Sequence, residues 1–178
     1  NPAQSMPDQA TVRRALQRAE FIVVQEAFAT TATCDYADLL LPATTWGEKD
    51  GTVTNSERRI SRVRPAISKP AGTRHDWSIA VEFAQRLERE LRPGQPTLFP
   101  YSLADETAGV EQIWNEHRES TRGRDLDITG MSYALLDQSP LQWPMAAGET
   151  QGKPRLYEDG VFPTPDGKAR FANVAYQP

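Results

Sequence analysis

The sequence has little that could form a metal site or a nucleophilic triad. Its 178 residues include one cysteine, Cys34, and two histidines, His75 and His117. One cysteine excludes an intrachain disulfide, which fits a reducing compartment. The three residues have no spacing typical of zinc ligands, and no Ser-His-Asp or Cys-His arrangement has a local signature. We therefore predict no metal ligand and no catalytic residue in the chain. We also expect both histidines to be exposed, because their sequence neighbours are charged.

Long apolar runs and regions of one charge sign are missing as well. No run approaches the roughly 18 residues that span a bilayer, and no secretory signal is visible. The 20 basic and 24 acidic residues are interspersed, with a net charge of −4. This balance provides no broad basic face for nucleic acid and no polybasic membrane patch. We expect no nucleic-acid partner, no membrane partner and a cytoplasmic location.

The first forty residues have the pattern of an open α/β sheet. Asp8 can cap a helix that runs to about Glu20, with apolar residues on one face. The apolar run at residues 21–24 is typical of a strand buried on both faces of a parallel sheet. Residues 37–42 form a second short apolar run that ends at a proline. Helix, strand, connection and strand in this order predict an α/β fold with parallel strands.

The remaining chain is predicted to be a long loop followed by helices. Residues 46–64 are polar with weak periodicity, and we interpret them as an ordered loop of functional importance. Asp76 is the predicted cap of a helix over residues 77–91. The predicted apolar face of that helix consists of Ile79, Ala80, Phe83, Ala84, Leu87 and Leu91. Residues 93–96 mark a boundary, beyond which we predict helices at 110–119 and 131–137 and otherwise irregular segments.

Two groups of polar residues could carry chemistry. Gln25 and Glu26 follow the first predicted strand, where a carboxylate could accept hydrogen bonds from a ribose or a guanine. The alternative is a loop carboxylate in water. The run 46–59 combines glycines, Lys49 and an arginine pair, a composition that suits phosphate. A charged surface loop is the equally simple alternative. Trp114 and Trp143 are predicted to be packing residues.

The same run carries a resemblance to a known family. Residues 37–42, 46–52 and 54–59 resemble the signature of molybdopterin oxidoreductases of the dimethyl-sulfoxide-reductase superfamily. Residues 72–77 resemble the element that opens the family's next helix, with Thr73 in place of the usual acidic residue. Elements of the second half then follow in the order seen in catalytic subunits of assimilatory nitrate reductases. These elements are residues 116–117, 123–128, 141–144, 155–157 and 162–171.

The resemblance implies that the chain is an internal fragment of a larger enzyme. That enzyme would bind Mo-bis(molybdopterin guanine dinucleotide) and one [4Fe-4S] cluster, and would reduce nitrate to nitrite. Its electrons would come from a donor protein or a reductase subunit. Residues 1–92 would be part of an open parallel-sheet domain that binds the dinucleotide. Residues 93–178 would be a loop-rich, mostly helical segment leading to a further cofactor-binding domain. The cluster cysteines and the molybdenum ligand are not in this chain, so we expect the fragment alone to be inactive.

The resemblance also carries cofactor contacts onto individual positions. They fall on Gln25, Glu26, Lys49 and Asp76, with Asn1 as a weaker candidate. We expect Gln25 and Glu26 to lie at the carboxyl end of a parallel strand, and Lys49 and Asp76 to open on the same cleft.

The arginine pair allows two interpretations. Arg58 and Arg59 could contact cofactor, or could be structural and pair with Glu48 or Glu57.

Two alternatives to a nitrate reductase stay open. Formate dehydrogenases of the same superfamily share the Gln-Trp-Pro and Pro-Asp-Gly elements of the second half, and less often the Arg-Asp-x-Asp-Ile run. The other alternative is a non-catalytic nucleotide-binding or scaffold domain.

Overall fold

The computed structural model describes residues 1–175, which divide into two compact units. Unit 1 consists of Asn1–Gly51 and Val63–Ile113, and unit 2 consists of Thr52–Arg62 and the chain from Trp114 onward. The predicted division into a dinucleotide-binding part at residues 1–92 and a helical, irregular segment at residues 93–178 stays a prediction.

Unit 1 begins with a short helix, α1 (Pro2–Ser5), and a longer one, α2 (Gln9–Arg18). Asp8 is the N-cap of α2, and its carboxylate accepts a hydrogen bond from the backbone N–H of Thr11 at 3.3 Å. This bond satisfies one of the free amide groups at the helix start. The predicted capped helix is confirmed.

Two parallel strands follow, β1 (Val23–Glu26) and β2 (Leu39–Pro42), with Glu26 opposite Pro42. The predicted α/β pattern is confirmed. The prediction that the first strand is buried on both faces is wrong, because Phe21 and Val23 are 64% and 48% exposed. Exposure alternates along β1, as expected for a strand with one covered face and one open face. Within the described chain, β1 belongs to a two-stranded sheet.

The predicted loop at residues 46–64 is wrong, because the chain forms two strands there. A 3-10 turn (Trp46–Glu48) precedes β3 (Gly51–Thr54) and β4 (Arg59–Val63), which lie side by side. The Asn55 side chain organises the turn between them by accepting from the backbone N–H groups of Glu57 and Arg59, at 3.1 and 2.9 Å. Asparagine favours such turns because its side chain bonds to the backbone that follows it.

The predicted long helix is confirmed as α3 (Asp76–Leu91), but its cap and its buried face differ from the prediction. His75 occupies the N-cap position, and Asp76 is the first helical residue. Phe83 and Leu91 of the predicted apolar face are 67% and 71% exposed, whereas Val81 is 5% exposed. Periodicity marks an apolar stripe, but packing decides which side of a helix is covered. The next helix, α4 (Glu106–Glu119), begins one turn earlier than predicted.

The core of unit 2 forms around Trp114. Its ring is buried, and the indole N–H donates to the carbonyl oxygen of Met131 at 3.0 Å. The short helix α5 (Tyr133–Leu136) starts at Ser132, whose hydroxyl accepts from the backbone N–H of Leu135. The short strand β5 (Leu141–Gln142) pairs antiparallel with β4. The predicted packing role of Trp114 is confirmed.

Candidate functional site

Glu26 ends β1 and begins the loop that follows it. Its backbone oxygen accepts from the N–H of Ala43 at 3.1 Å, which continues the parallel pairing. Its carboxylate accepts from the N–H groups of Ala27 and Phe28, at 2.9 and 3.4 Å, and from the hydroxyl of Thr31 at 3.3 Å. The carboxylate is therefore held in a fixed orientation at the carboxyl end of the strand, as predicted for its position.

The same loop also contacts the start of the chain. Thr33, which is buried, donates to the side-chain oxygen of Asn1 at 2.5 Å and accepts from the N–H of Ala3 at 3.1 Å. The loop at residues 27–33 therefore contacts both Glu26 and Asn1. The Gln25 side chain is exposed, and among the described residues no partner for its amide is found.

Lys49 and Asp76 form an ion pair in unit 1. The Lys49 Nζ lies 2.8 Å from the Asp76 Oδ2, with side chains that are 21% and 48% exposed. The ammonium also lies 5.2 Å from the centre of the Trp46 ring, within the range of a cation–π interaction. Asp76 is the first residue of α3, where the helix dipole favours a negative charge. The structure thus brings together two predicted site residues that are 27 positions apart.

Backbone pairing explains why these two residues meet. Ala43 forms a parallel bridge with Arg74, the Arg74 N–H donates to the Pro42 oxygen, and the Thr44 N–H donates to the Arg74 oxygen. The segment that enters α3 therefore lies beside the end of β2, as β2 lies beside β1. The contacts place the predicted residues in two groups, Asn1 with the Glu26 loop and Lys49 with Asp76. A single cleft that contains all five predicted residues stays a prediction.

A cavity of about 610 Å³ adjoins the same segments of unit 1. Its lining includes Glu48 and Asp50, on either side of Lys49, and His75 and Trp77, on either side of Asp76. Neither Lys49 nor Asp76 belongs to the lining. In both segments, successive side chains therefore point in different directions, and the ion pair lies apart from this cavity.

His75 is a buried polar residue that the sequence reasoning missed. It is 8% exposed, so the prediction that it is exposed is wrong. Its Nδ1 lies 2.9 Å from the Thr44 hydroxyl, and its Nε2 lies 3.1 Å from the Glu106 carboxylate, which Lys69 contacts at 2.5 Å. Both partners of the ring are 31 positions away in sequence, so no local pattern could have revealed them.

The Glu106 carboxyl is negatively charged at neutral pH. Burial by itself would raise its pKa, but the hydrogen bonds and charges of Lys69 and His75 lower the pKa below its ordinary value of 4.5. The carboxylate can therefore act only as a hydrogen-bond acceptor toward the histidine ring.

Both arginines make contacts with protein groups of unit 2. The Arg58 guanidinium donates to the backbone oxygens of Trp143, Lys153 and Pro154, with distances of 3.1 Å to Lys153 and 2.7 Å to Pro154. Arg59 pairs with Glu57 at 3.1 Å, which was one of the expected pairings. The other expected partner, Glu48, instead accepts from the N–H of Thr45 in a capping box.

Across residues 1–175, no group of three or more His, Cys, Asp or Glu side chains is arranged to hold a metal ion. None of the helices in this described part is long and apolar enough to cross a membrane.

Residues 1–86 match the family model described as molybdopterin oxidoreductase. This half of the chain is therefore similar to a molybdopterin oxidoreductase domain.

Similar individual proteins extend the match over the second half. The chain is 38% identical to the assimilatory nitrate reductase of Haloferax mediterranei, over 100% of this chain and 24% of that protein. It is 39% identical to the nitrate reductase of Synechocystis sp., over 96% of this chain and 23% of that protein. It is 35% identical to the F420-dependent formate dehydrogenase subunit alpha of Methanocaldococcus jannaschii, over 99% of this chain and 24% of that protein. The chain thus spans about a quarter of the length of these relatives.

Proposed function

We propose that the chain is part of an assimilatory, molybdenum-dependent nitrate reductase, and that unit 1 helps to bind a molybdopterin guanine dinucleotide. The observation that carries the cofactor proposal is the Lys49–Asp76 ion pair beside the end of β2. The nitrate proposal rests on relatives that are named nitrate reductases and that match almost all of this chain. The [4Fe-4S] cluster, the electron donor and the cytoplasmic location are proposals that rest on the resemblance.

The polar groups at the strand ends fit such a cofactor. Asp76 keeps about half of its side chain exposed, so its carboxylate can accept from a guanine or ribose donor. Lys49 has three N–H donors, of which Asp76 takes one, so the others can reach a phosphate or carbonyl oxygen. Gln25 offers an exposed amide and Glu26 an oriented carboxylate.

Gln25, Glu26, Lys49 and Asp76 would therefore hold the dinucleotide, with Asn1 as a further candidate. When bound, the molybdenum centre supplies the redox chemistry, while the protein binds and orients the cofactor.

The proposal is tested in the full-length enzyme by Lys49→Ala and Glu26→Ala. Each change removes a charge-assisted hydrogen bond worth roughly 1.5–3 kcal/mol, so cofactor affinity should fall by about ten- to a hundredfold. We expect folded variants with reduced molybdenum and pterin content. Activity per bound molybdenum should fall much less than total activity, because these residues hold cofactor and do not touch nitrate. Metal analysis of the purified variants gives the measurement.

Lys168→Ala and Glu90→Ala are the matched controls, because both side chains are exposed. They should change stability by no more than about 0.5 kcal/mol and leave the molybdenum content intact. If Lys49→Ala and Glu26→Ala behaved like these controls in both metal content and turnover, the assignment of the cofactor site would be wrong.

Formate oxidation is a second candidate function, because a formate dehydrogenase subunit from Methanocaldococcus jannaschii also matches 99% of the chain. Assays of the full-length enzyme decide between nitrate reduction and formate oxidation. One assay contains nitrate and a reduced viologen dye, and the other contains formate and an electron acceptor. Turnover with nitrate alone supports the proposal, and turnover with formate alone replaces it. A protein that binds guanine nucleotide but holds no molybdenum would be the non-catalytic alternative.

A further inference from the structure

We infer that His75 is a positioning residue, which through Thr44 holds the loop carrying Lys49 against the start of α3, where Asp76 lies. The inference concerns the same site as the proposed cofactor function and rests on it. His75 itself would touch no cofactor. Its role would be to maintain the distance between two side chains that do.

The contacts of Thr44 place His75 between the two elements. Thr44 is 3% exposed, and its hydroxyl lies 2.9 Å from the Nδ1 of His75. Its backbone N–H donates to the oxygen of Arg74 at 3.0 Å. Thr44 is therefore bonded to two consecutive residues at the start of α3. A single 3-10 turn separates Thr44 from Lys49, and His75 directly precedes Asp76. A shift at the Thr44–His75 contact would therefore move one end of the ion pair relative to the other.

The far side of the imidazole is fixed as well. Glu106 is a carboxylate and accepts only, so the Nε2 of His75 carries a hydrogen. In the neutral ring, Nδ1 is then free to accept from the hydroxyl of Thr44. Lys69 holds the Glu106 carboxylate at 2.5 Å, and the Trp77 ring lies nearly parallel to the imidazole at 6.5 Å. The ring thus has defined partners on both nitrogens and little freedom to turn.

A buried histidine that only stabilises the fold would predict a different result. Its loss would lower stability, but cofactor retention would not depend on which ring nitrogen is replaced. A positioning role through Thr44 makes the Nδ1 contact the important one. Asparagine can supply a polar atom near the position of Nδ1, and glutamine one near the position of Nε2. His75→Asn should therefore retain the cofactor as the wild type does, whereas His75→Gln should not.

The experiment uses the full-length holoenzyme and two readouts, the rate of molybdenum release and amide hydrogen exchange at residues 46–50 and 75–79. Thr44→Val removes the hydroxyl and keeps the shape. It should speed up exchange in both segments, and molybdenum release, by about fivefold, as expected for one lost hydrogen bond. His75→Gln should behave like Thr44→Val, and His75→Asn should lie within about twofold of the wild type.

A double variant tests whether Thr44 acts through the ion pair. In a Lys49→Ala background, Thr44→Val should add less than about a twofold increase in molybdenum release, because the contact it positions is gone. Effects that multiply would show that Thr44 acts independently and would overturn the inference. Thr129→Val is the control, since Thr129 is equally buried but lies in unit 2. It should change neither readout.

The two readouts separate this inference from the proposed function. If Lys49→Ala leaves molybdenum release unchanged, the proposed cofactor site is wrong, whatever Thr44→Val does to hydrogen exchange. If Thr44→Val leaves exchange unchanged in both segments, His75 does not position the pair, even where Lys49→Ala releases molybdenum. Equal behaviour of His75→Asn and His75→Gln would also overturn the inference.

Discussion

Lys49 of unit 1 and Arg58 of unit 2 come from one short run of the sequence, and the structure gives them different partners. Lys49 pairs with the carboxylate of Asp76, which remains about half exposed. Arg58 donates to backbone oxygens of three residues, Trp143, Lys153 and Pro154. On sequence alone, both cations are candidates for contact with the same cofactor.

The partners decide what each cation can do. An ammonium with one carboxylate partner keeps donors available for a ligand. A guanidinium whose donors are spread over three carbonyl groups instead joins separate segments of its own chain. The planar, branched donor group of arginine suits this structural role, whereas the compact charge of lysine suits an exchangeable contact. The comparison therefore favours Lys49 for the cofactor and Arg58 for the fold.

The largest expected effect is a loss of stability on replacing a tryptophan, and it should differ between the tryptophans of the two units. Trp114→Ala should lower the free energy of unfolding by about 3–5 kcal/mol, because it leaves a cavity in the core of unit 2 and removes the hydrogen-bond donor of the Met131 oxygen. Trp46→Ala should cost less than about 1 kcal/mol, because Trp46 is 64% exposed. Denaturant titration of both variants gives the values. Equal losses would mean that the cation–π contact of Trp46 with Lys49 is also important for the fold.

The arginine pair gives an intermediate effect. Arg58→Ala should lower the free energy of unfolding by about 2 kcal/mol, because it removes the shared donor of three carbonyl groups. Arg59→Ala should lower it by no more than about 0.5 kcal/mol, because its pair with Glu57 is exposed. The molybdenum content per folded protein should be unchanged in both. A loss of molybdenum with unchanged stability in Arg58→Ala would contradict the structural role.

The smallest expected effect concerns one carboxylate in each unit. The hydroxyl and N–H of Thr129, with the N–H of Gly123, lower the pKa of Asp127 below its ordinary value of 3.8. The pKa of Glu106 is lowered despite its burial, through Lys69 and His75. Each group therefore stabilises the fold fully above its ordinary pKa. That contribution is lost as the pH falls through the lower pKa of the folded state.

Salt should change the pKa values of these two carboxyl groups by different amounts. The partners of Glu106 include a charge, so 1 M salt should bring its pKa closer to 4.5. The Asp127 pKa should change less, because its main partners are uncharged hydrogen-bond donors. Titration of both carboxyl groups by NMR at low and high salt gives the measurement, with Glu106→Gln and Asp127→Asn to assign the signals. Equal sensitivity to salt would contradict this difference in partners.

The helices and the parallel strands could be predicted because their signals are local. The cap at Asp8 and the apolar run that ends at Pro42 each lie within a few residues of the element they mark. The hairpin of β3 and β4 was missed although its Asn55 turn is local, because residues 46–64 are polar and have only weak periodicity. Burial was predicted least well, since periodicity identifies an apolar face but not what covers it.

The sequence by itself determined the match of residues 1–86 to the molybdopterin oxidoreductase model and the helix and parallel strands of the first forty residues, which put Glu26 at the carboxyl end of β1. Only the tertiary structure decided that Lys49 meets Asp76, and that His75 is buried between Thr44 and Glu106. The physical reason is distance along the chain. A cap or a strand is stabilised by neighbours in sequence, whereas an ion pair or a buried ring depends on partners that only folding brings within hydrogen-bonding range.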